Sequence, residues 1–493
     1  MLSRTVFNTQ QIRSNEALAA KKSHCDLFTL MQRAGKSVFN QWRKLNAHYT
    51  LVLVGHGNNA GDGYIVARLI RETGKQVIVC AVDPHKILSG DALKAQHMWL
   101  EAGGKVQSFT QKILNESDVI VDALLGTGIS NPVRDAFFDI INNVNTSCKF
   151  VLSIDVPSGL DADTGQPLGV AIRATKTVTF VGIKQGLTTA AGKQYCGELI
   201  FDDLGIGEQF IDLTTPIAQL VNINSFKGLD ARSLYSHKGN NGKLLCIGGN
   251  QGTAGAIRLT SEAALRSGAG MVRVYTHSTS VTPVGIGRPE LMVHSEHLTQ
   301  SLEWATCVVI GPGLGQDEWA QTVFNDVINY CQINATPLVI DADGLNLLAK
   351  STIFASLGQC ILTPHSGEAA RLLNIATLEI DNNRFEHVRE CAKHYQATCV
   401  LKGPGTLIDN GVDTWVCENG SPALAVGGSG DVLAGIIGAL IAQGLNKDEA
   451  AYYGVTLHAK AGEIAAQEFG ERGMVASDLF DIVRKLINFP ANT

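Results

Sequence analysis

A glycine-rich turn near the end of the chain carries the clearest chemical signal in the sequence. Residues 427–435 read Gly-Gly-Ser-Gly-Asp-Val-Leu-Ala-Gly and run into the apolar segment 436–441, so we expect a helix that starts at about Asp431. A helix N-terminus exposes unpaired N–H groups and the positive end of the helix dipole, which suits an anion. Asp431 would lie where a transferred phosphoryl group arrives, and could take a proton from a hydroxyl being phosphorylated. The alternative is that Asp431 only caps the helix.

Other glycine turns in the second half also follow strand-like runs, at residues 248–255, 311–315 and 402–406. The pattern G-x-x-x-x-G-K-[S/T] does not occur, which excludes a Walker-type site in its usual form. Lys402 stands at a strand end beside two glycines, where a mobile cation next to accessible backbone donors suits a polyphosphate. A solvated lysine at a turn is the alternative.

Two polar loops of the second half have roles that the sequence leaves open. In T-P-H-S-G-E, residues 363–368, either His365 or Ser366 lies where a cap belongs before a helix over 368–373, so capping competes with a role in a site. In D-A-D-G-L-N, residues 341–346, a strand ends in paired acids that could serve magnesium or close a turn.

The first half has a glycine turn of its own, G-H-G-N-N-A-G-D-G at residues 55–63, after the strand-like run 51–54. With Asp83 after a second strand, it fits the Rossmann dinucleotide fingerprint, so an ordinary dehydrogenase turn is one interpretation. Asn58, Asn59 and Asp62 favour another, because two amides and a carboxylate can hold a hard cation or hydrogen-bond a polar ring.

Two later strands of this half also end in an aspartate that is followed by a loop with glycine. These loops read D-A-L-L-G-T-G from residue 122 and D-V-P-S-G-L from residue 155. Because the carboxyl ends of strands in an open parallel sheet share one crevice, we expect Asp62, Asp122 and Asp155 to lie close together. Clustered carboxylates need a cation or a raised pKa. The pattern therefore predicts a metal among Asn59, Asp122 and Ser158.

The composition indicates a large α/β protein. The chain has 493 residues, of which 45% are hydrophobic and 17% charged, with 51 glycines, which indicates two or three domains with buried strands. A net charge of −6 argues against nucleic acid as the main partner. The 11 scattered cysteines never form C-x-x-C, which is typical of core positions in a reducing compartment. No apolar run reaches the roughly 18 residues of a membrane span, and residues 1–20 lack a signal-peptide core, so we predict a soluble, cytoplasmic protein.

Short β-branched runs alternate with helical segments in both halves, which predicts parallel sheets with helices on both faces. In the first half the predicted strands are 51–54, 76–82, 119–121, 150–154 and 177–180, with helices over 64–72 and 90–102. In the second half the predicted strands are 243–247, 271–275, 307–310, 338–340, 361–363 and 398–401. The pattern weakens over 211–228, so the predicted domains are 1–220 and 221–493.

The ordered motifs N-N-A-G-D-G, D-A-L-L-G-T-G and D-V-P-S-G-L resemble the NAD(P)H-hydrate epimerase domain over about residues 8–213. The segment 30–35, L-M-Q-R-A-G, is similar to that family's N-terminal helix, whereas Ala60 stands where the family usually has glycine. The resemblance implies a Rossmann-like fold that interconverts the R and S hydrates of NADH and NADPH, known as NADHX and NADPHX. It also implies K⁺ bound by Asn59, Asp122 and Ser158. The substrate contacts it implies are Asn58, Asn59, Ala60, Gly61, Asp62, Gly126, Thr127, Gly128, Ile129, Ser130, Asn131, Pro132 and Asp155.

The second half, over about residues 225–490, resembles the ribokinase-like superfamily and, closely, the nucleotide-dependent NAD(P)H-hydrate dehydratase. R-S-G-A-G at 266–270, T-P-H-S-G-E, K-G-P-G-T and G-G-S-G-D occur in that family's order. The resemblance implies Asp431 as the catalytic residue. The hydrate contacts it implies are Ala256, Gly313, His365 and Asp431, and the nucleotide contacts are Lys402, Gly403, Pro404, Gly405, Thr406 and Gly430. The presence of both domains on one chain is similar to the bacterial arrangement, which implies ADP, with Mg²⁺, as the phosphoryl donor.

Together the resemblances predict two three-layer α/β/α domains, Rossmann-like and then ribokinase-like, in a homo-oligomeric enzyme that acts on small molecules. One half would epimerise the hydrates, and the other would phosphorylate the hydroxyl of the S hydrate so that it leaves as phosphate. Three alternatives stay open at this point: a ribokinase-like small-molecule kinase fused to a Rossmann-like ligand-binding domain, a non-catalytic binding module, and a Rossmann dehydrogenase.

Overall fold

The computed structural model describes residues 2–351 and 357–488. The chain divides between Gln219 and Leu220 into two compact units. Each unit contains a parallel sheet with helices packed on it, so the predicted α/β class is confirmed. The assignment of one activity to each of the segments 1–220 and 221–493 stays a prediction.

The first unit contains a sheet of seven parallel strands in the order β4-β3-β2-β5-β6-β7-β9, and a short strand β1 that pairs with β8 and β10. The strands are β1 (Thr5–Phe7), β2 (Tyr49–Val54), β3 (Gln76–Ala81), β4 (Val106–Ser108), β5 (Val119–Ala123), β6 (Phe150–Ile154), β7 (Lys176–Phe180), β8 (Ile183–Lys184), β9 (Glu198–Asp202) and β10 (Ala218–Val221). The helices are α1 (Thr9–Lys22), α2 (Leu27–Trp42), α3 (Asn58–Glu72), α4 (Gly90–Glu101), α5 (Gln111–Glu116), α6 (Asp135–Thr146), α7 (Ala190–Cys196) and α8 (Gly207–Ile211).

Both faces of this sheet are buried, which explains why its strands are apolar throughout rather than alternating. In β2, Val52 and Val54 pack with Tyr64 of α3, whereas Leu51 and Leu53 belong to the core on the opposite face, with α6. The chain forms β2, β3 and β4 in turn and then returns to the other side of β2 to form β5. The order therefore reverses between β2 and β5, and ligands of open α/β sheets bind at the carboxyl end of such a point.

The second unit contains the sheet order β13-β12-β11-β14-β15-β16-β17-β18-β19, parallel from β13 to β17 and antiparallel from β17 to β19. The strands are β11 (Lys243–Ile247), β12 (Met271–Tyr275), β13 (Leu291–His294), β14 (Cys307–Ile310), β15 (Leu338–Ile340), β16 (Cys360–Leu362), β17 (Thr398–Leu401), β18 (Leu407–Asp409) and β19 (Thr414–Cys417). The helices are α9 (Ala254–Arg266), α10 (Val281–Gly285), α11 (Leu298–Trp304), α12 (Glu318–Asn334), α13 (Asp343–Lys350), α14 (Ser366–Leu373), α15 (Thr377–Asn382), α16 (Arg384–Tyr395), α17 (Ser429–Ala442), α18 (Lys447–Phe469) and α19 (Leu479–Asn488).

Helix α17 lies at the centre of the second unit, where it packs against α9, α18 and the sheet. Leu244 and Cys246 of β11 belong to the same apolar core as Ile437 and Leu440 of α17. Because this core surrounds α17, the N-terminus of the helix is held firmly at the carboxyl edge of the sheet. The strand order reverses here between β11 and β14.

Most strands lie where the sequence predicts them, and six, including β6, β11 and β17, have the predicted bounds. The helices differ more. Helix α3 begins at Asn58, six residues before the predicted start, and the polar helix α1 and the antiparallel pair β18–β19 were not predicted. Local periodicity is weak in α1 because much of its surface faces solvent. Within the two described ranges, no helix is both long and apolar enough to cross a membrane.

Because each unit has its own sheet and core, we expect each to fold when expressed alone. Strand β10 spans the division, so the fragments 1–221 and 218–493 should both retain it. Each fragment should then show a cooperative thermal transition in circular dichroism. If neither fragment unfolds cooperatively while the full chain does, the units are not independent.

Candidate active sites

The polar residues of the first glycine turn lie on a helix rather than in a loop. Helix α3 starts at Asn58 with Gly57 as its N-cap, so Asn58, Asn59 and Asp62 occupy its first turns. Ala60 is fully buried there, and a helical backbone accepts alanine without strain. Position 55, before the helix, requires glycine because a Cβ there would lie 1.9 Å from the Leu124 carbonyl oxygen.

A cleft of about 730 Å³ lies at the carboxyl edge of this sheet, where Glu16, Asp62, Asp155 and Lys184 line it. Of the predicted substrate contacts, the cleft is lined by Asn58, Asn59, Asp62, Gly126, Thr127, Gly128, Ile129 and Asp155. The predicted contacts that do not line it are Ala60, Gly61, Ser130, Asn131 and Pro132. The cleft therefore brings together part of each predicted loop.

Lys184 and Asp155 form a buried ion pair in the cleft wall. Lys184 is 2% exposed, and its ammonium group also donates to Thr179 Oγ1 at 3.1 Å and to the Phe180 carbonyl oxygen at 3.0 Å. Asp155 has a φ of 63°, a left-handed conformation that aspartate adopts more readily than most residues. A charge this deep needs such partners, and they hold the Asp155 carboxylate in one position.

Asp62 lies in the same cleft without a hydrogen bond to its carboxyl group from the described residues. Burial raises the pKa of Asp62 well above its ordinary value, and the negative charges of Asp155 and Glu16 raise it further. Burial also raises the pKa of Glu16. The cleft thus combines a lysine-paired carboxylate with a neighbouring carboxyl group that tends to keep its proton.

Asp122 does not line the cleft, although Asp62 and Asp155 do, so its position close to them stays a prediction. It is fully buried, and one carboxylate oxygen accepts from Ser153 Oγ at 2.8 Å and from the Ser158 N–H at 2.9 Å. Its other oxygen accepts from Ser158 Oγ at 2.5 Å. Burial raises the pKa of Asp122, while the hydrogen bonds from Ser158 and Ser153 oppose this.

Asn59 and Ser158 both form hydrogen bonds with the Leu125 peptide, and Ser158 also bonds Asp122. The Asn59 amide donates to the Leu125 carbonyl oxygen at 2.9 Å, and the Leu125 N–H donates to Ser158 Oγ at 2.8 Å. Asn59 Oδ1 is buried and accepts no hydrogen bond from the described chain. In residues 2–351 and 357–488, no three His, Cys, Asp or Glu side chains are grouped to hold a metal ion, so any cation here would depend on a mixed oxygen set.

In the second unit, helix α17 begins two residues before the predicted start. Gly428, with a φ of 86°, is its N-cap, and Asp431 is the third helical residue. The alternative that Asp431 is the N-cap is therefore wrong. The carboxyl group of Asp431 is free to face the carboxyl edge of the sheet, beside the N–H groups that the helix leaves unpaired.

Lys402 lies opposite this helix terminus and joins two carboxylates. Its ammonium nitrogen is 2.8 Å from Asp341 Oδ1 and 3.7 Å from Glu368 Oε2, and a Cβ at Gly430 would lie 3.4 Å from it. Burial alone would lower the pKa of Lys402, but the charges of Asp341 and Glu368 outweigh it and raise the pKa. The solvated-lysine alternative is thus wrong, because Lys402 belongs to a charged cluster.

The same cluster changes the acidity of Asp431. Burial and the negative charge of Asp341 raise the pKa of Asp431 to about 7, although Lys402 opposes the shift. Asp341 is 1% exposed and also accepts a hydrogen bond from Thr363 Oγ1 at 2.8 Å, so its carboxylate is fixed. A carboxyl group with a pKa near neutrality is suited to general base catalysis.

His365 is the N-cap of α14, so the capping alternative is confirmed. Its Nδ1 accepts from the Gly367 N–H at 3.0 Å and the Glu368 N–H at 3.3 Å, while Glu368 Oε2 accepts from the His365 N–H at 2.8 Å. Because Nδ1 accepts these bonds, the neutral ring carries its proton on Nε2, which lies 3.5 Å from Glu368 Oε1. The side chain is 56% exposed, so the capping ring is still accessible to a ligand.

The remaining predicted contacts of the second unit lie in the first turn of α9 and in two loops. Gly313 and Ala256 are neighbours, since Thr253 Oγ1 donates to the Gly313 carbonyl oxygen at 2.7 Å and a Cβ at Gly313 would lie 3.1 Å from Ala256 Cβ. Gly403, Pro404, Gly405 and Thr406 form the turn after β17, where Thr406 Oγ1 donates to the Gly403 carbonyl oxygen at 2.9 Å.

The sequence analysis missed several charged residues of the sites, including Glu16, Lys184, Glu368 and Arg384. Lys184 is in a two-residue strand, Glu368 was noted only as the end of a motif, and Arg384 lies between two motifs. A charged residue inside an apolar run is a signal for Lys184. The position of Glu368 three residues after a cap residue is a capping-box signal.

The comparisons with known proteins cover nearly the whole chain. Residues 27–186 match the family described as YjeF-related protein N-terminus, and residues 244–485 match the family described as NAD(P)H-hydrate dehydratase. The bifunctional NAD(P)H-hydrate repair enzyme of Escherichia coli is 42% identical over 490 residues, which cover 98% of this chain and 94% of the relative. That of Coxiella burnetii is 41% identical over 493 residues, which cover 98% and 99%.

Solved structures give matches over about half of the chain. A ribokinase-like superfamily protein from Enterococcus faecalis has a TM-score of 0.52 at 28% identity, covering 56% of this chain and 96% of that protein. The ADP/ATP-dependent NAD(P)H-hydrate dehydratase from Bacillus subtilis, co-crystallized with ATP/Mg²⁺, has a TM-score of 0.49 at 30% identity, covering 54% and 95%. The ribokinase-like prediction for the fold agrees with the first of these.

The raised pKa of Asp431 predicts a pH-dependent gain in stability on its removal. The folded protein holds this proton to about pH 7, whereas the unfolded chain releases it near 3.8, so ionised Asp431 opposes folding increasingly as pH rises towards 7. We expect Asp431→Asn to raise the Tm more at about pH 8 than at about pH 5, because asparagine stays neutral. The measurement is thermal unfolding without nucleotide.

Asp481→Asn is the matched control, because Asp481 is 77% exposed and pairs at the surface with Arg266. Removal of an exposed ion pair should change the Tm little at either pH. If Asp431→Asn has a lower Tm than the wild type at pH 8, or if its Tm shifts equally at both pH values, the pKa of Asp431 is not near 7.

Proposed function

The chain belongs to the family of bifunctional NAD(P)H-hydrate repair enzymes, and from that membership and the geometry of its two sites we propose which residues carry each reaction. The protein epimerises the R and S hydrates of NADH and NADPH, and it dehydrates the S hydrate to NAD(P)H in a nucleotide-dependent reaction. The observation that carries the assignment of the dehydratase site is the half-buried Asp431 carboxyl group, which lies opposite Lys402 and has a pKa of about 7.

Dehydration needs a better leaving group than hydroxide, and Asp431 is the base that makes phosphorylation of the hydroxyl feasible. As the hydroxyl oxygen forms its bond to phosphorus, Asp431 accepts the hydroxyl proton, and the bond from phosphorus to the nucleotide oxygen breaks. With ADP as donor, the nucleotide product is AMP. The lone pair of the ring nitrogen then expels phosphate, and the neighbouring ring carbon loses a proton to re-form the reduced cofactor.

The N-terminus of α17 and Lys402 stabilise the transferred group. The unpaired N–H groups at the start of the helix, around Gly430, and the Lys402 ammonium group face the same space, so negative charge on the phosphoryl oxygens is balanced there. The turn Gly403–Thr406 would hold the rest of the nucleotide. His365 Nε2 would donate to the hydrate from the opposite turn.

Magnesium would accompany the nucleotide, and Asp341 fits it. Asp341 Oδ1 is used by Lys402 and Thr363, whereas Oδ2 accepts no hydrogen bond from the described residues. Carboxylate oxygen is a preferred ligand of Mg²⁺, so Asp341 Oδ2 would hold the ion beside the phosphates, where it neutralises charge.

In the epimerase cleft, Asp62 is the residue that moves the proton. It donates its proton to the hydroxyl, which leaves as water while the ring nitrogen forms a double bond to carbon. Water then adds to the other face of the ring and returns a proton to the Asp62 carboxylate. The Asp155 carboxylate, held by Lys184, stabilises the positive charge of the intermediate, and the raised pKa of Asp62, which follows from its burial, supports its role as acid.

Potassium would be held at the cleft by Asn59, Asp122 and Ser158. The buried Asn59 Oδ1, which accepts no hydrogen bond from the described residues, supports this. The Asn59 amide and Ser158 Oγ both donate to the Leu125 carbonyl oxygen, and Ser158 Oγ also donates to Asp122, so carboxylate, hydroxyl and carbonyl oxygens are grouped there. A cation there would fix the Leu125 loop, which lines the cleft. The ion would therefore act on the epimerase reaction through the shape of the cleft.

Two further properties, the cellular compartment and the oligomeric state, are proposals. All 11 cysteines are free and most are buried, which is typical of a protein in a reducing cytoplasm. The homo-oligomeric state stays a prediction from the sequence.

The proposed dehydratase activity can be tested by mixing the full-length protein with chemically hydrated NADH and ADP and following the absorbance of the dihydronicotinamide. We expect absorbance to return, and we expect Asp431→Asn to slow this about a hundredfold or more, the scale of a lost general base. Nucleotide and hydrate should still bind. Epimerase activity of the same variant controls for folding.

A near wild-type rate for Asp431→Asn would remove Asp431 from the mechanism. If a phosphorylated product accumulates and the absorbance does not return, the kinase alternative replaces the dehydratase function.

The potassium proposal predicts that epimerisation is faster in K⁺ than in a buffer whose only cation is tetramethylammonium. Asn59→Ala removes a proposed ligand, so we expect the K⁺ concentration for half-maximal rate to rise about tenfold. The dehydration rate should stay unchanged, because Asn59 lies in the first unit and the proposed dehydratase site lies in the second. Equal epimerase rates in both buffers would exclude a role for K⁺.

A further inference from the structure

We propose that Arg384 is a positioning residue of the dehydration reaction, which holds the nucleotide turn at Lys402 and Gly403 in place against the turn that begins α14. The inference rests on the proposed function of the second unit. Arg384 belongs to neither motif, and no role for it was expected from the sequence. It lies at the start of α16, between the two turns in the chain.

The guanidinium group of Arg384 connects the two turns directly. Its Nη2 donates to the carbonyl oxygens of Leu401 and Lys402, at 3.1 Å each, and its Nη1 donates to Ser366 Oγ at 3.3 Å. The side chain is only 4% exposed. Because the planar fork has donors in fixed directions, one residue can set the separation of two turns.

The charge of Arg384 lies in a buried position. A buried guanidinium is costly unless its donors are satisfied, and the carboxylate that pairs with it, Asp381, lies 3.9 Å away and is 42% exposed. Backbone carbonyl oxygens at the end of β17 therefore supply close partners. Burial lowers the pKa of Arg384 to about 10, which still leaves it charged at neutral pH.

Besides Arg384, one backbone hydrogen bond joins the two turns, from the Lys402 N–H to the Pro364 carbonyl oxygen at 2.8 Å. Gly403 has a φ of 137°, and a Cβ there would lie 3.2 Å from Arg384 Nη2, so the backbone approaches the guanidinium as only glycine allows. The turn at α14, by contrast, is held by its own capping box between His365 and Glu368. Loss of Arg384 should therefore loosen the Lys402 side of the site and leave the His365 side in place.

This asymmetry predicts a separation of kinetic effects in the full-length protein. We expect Arg384→Met to raise the KM for ADP about tenfold or more, because a small misplacement of Lys402 weakens phosphate binding. The KM for the hydrate should change much less, and the epimerase rate should not change. Arg384→Lys should show the same pattern, since one ammonium group cannot reach both turns.

Arg389→Met is the matched control on the same helix. Arg389 also donates to a backbone carbonyl oxygen, that of Val412, and pairs with the buried Asp409 at 3.1 Å, but it contacts neither turn. The Arg389→Met variant should lower the Tm, as Arg384→Met does, but it should not raise the KM for ADP. ADP binding measured by equilibrium dialysis, without hydrate, gives a readout independent of turnover.

The outcomes separate this inference from the proposed function. Equal changes in both KM values, equal effects of the two arginine variants, or unchanged ADP affinity in folded Arg384→Met would overturn the positioning role. If Arg384→Met does not fold, Arg384→Lys decides by the same criteria. If the wild-type protein binds ADP but restores no reduced cofactor, the proposed function fails, while the dialysis comparison still tests Arg384.

Discussion

A lysine paired with an aspartate at the end of a parallel strand is the interaction on which both sites depend. In the first unit the pair is Lys184 and Asp155, and in the second it is Lys402 and Asp341. Each aspartate directly follows a strand of its sheet, and each pair is largely removed from water. Such pairs contribute little net stability when buried, but they hold charges in fixed positions where water would otherwise screen them.

The pKa of a second carboxyl group in each site depends on this ion pair. Asp62 lies near the start of α3 and Asp431 near the start of α17, and burial with a neighbouring carboxylate raises the pKa of both. The shared arrangement places a carboxyl group of raised pKa beside an aspartate that is paired with lysine. What differs is the space around them: the first unit has a cleft of about 730 Å³, whereas the second has glycine turns and a helix N-terminus there.

The sheet topology explains why these groups meet. The strand order reverses between β2 and β5 in the first unit and between β11 and β14 in the second. The helices that start at this edge of each sheet have their N-termini there. Helix α17 is surrounded by apolar side chains, so its first turn cannot move without disturbing the core. Stability and catalysis are therefore linked in the second unit, because the same packing that buries Ile437 and Leu440 fixes Gly430 and Asp431.

The sequence by itself determined most of the parallel strands, the α/β class and the motifs, because these depend on residue type and short-range spacing. It also indicated Asp431 and Lys402, since glycine beside a charged residue at a strand end is a local signal. Only the tertiary structure decided which charges converge. Asp122 and Asp155 lie at the ends of neighbouring strands, yet only Asp155 lines the cleft, whereas Asp122 is fully buried and bonded to Ser158. Lys184 and Arg384 gain their roles from partners that folding brings to them, namely Asp155 and the turns at Ser366 and Lys402. No local pattern specifies such contacts, because they depend on how the loops and helices pack at the edge of each sheet.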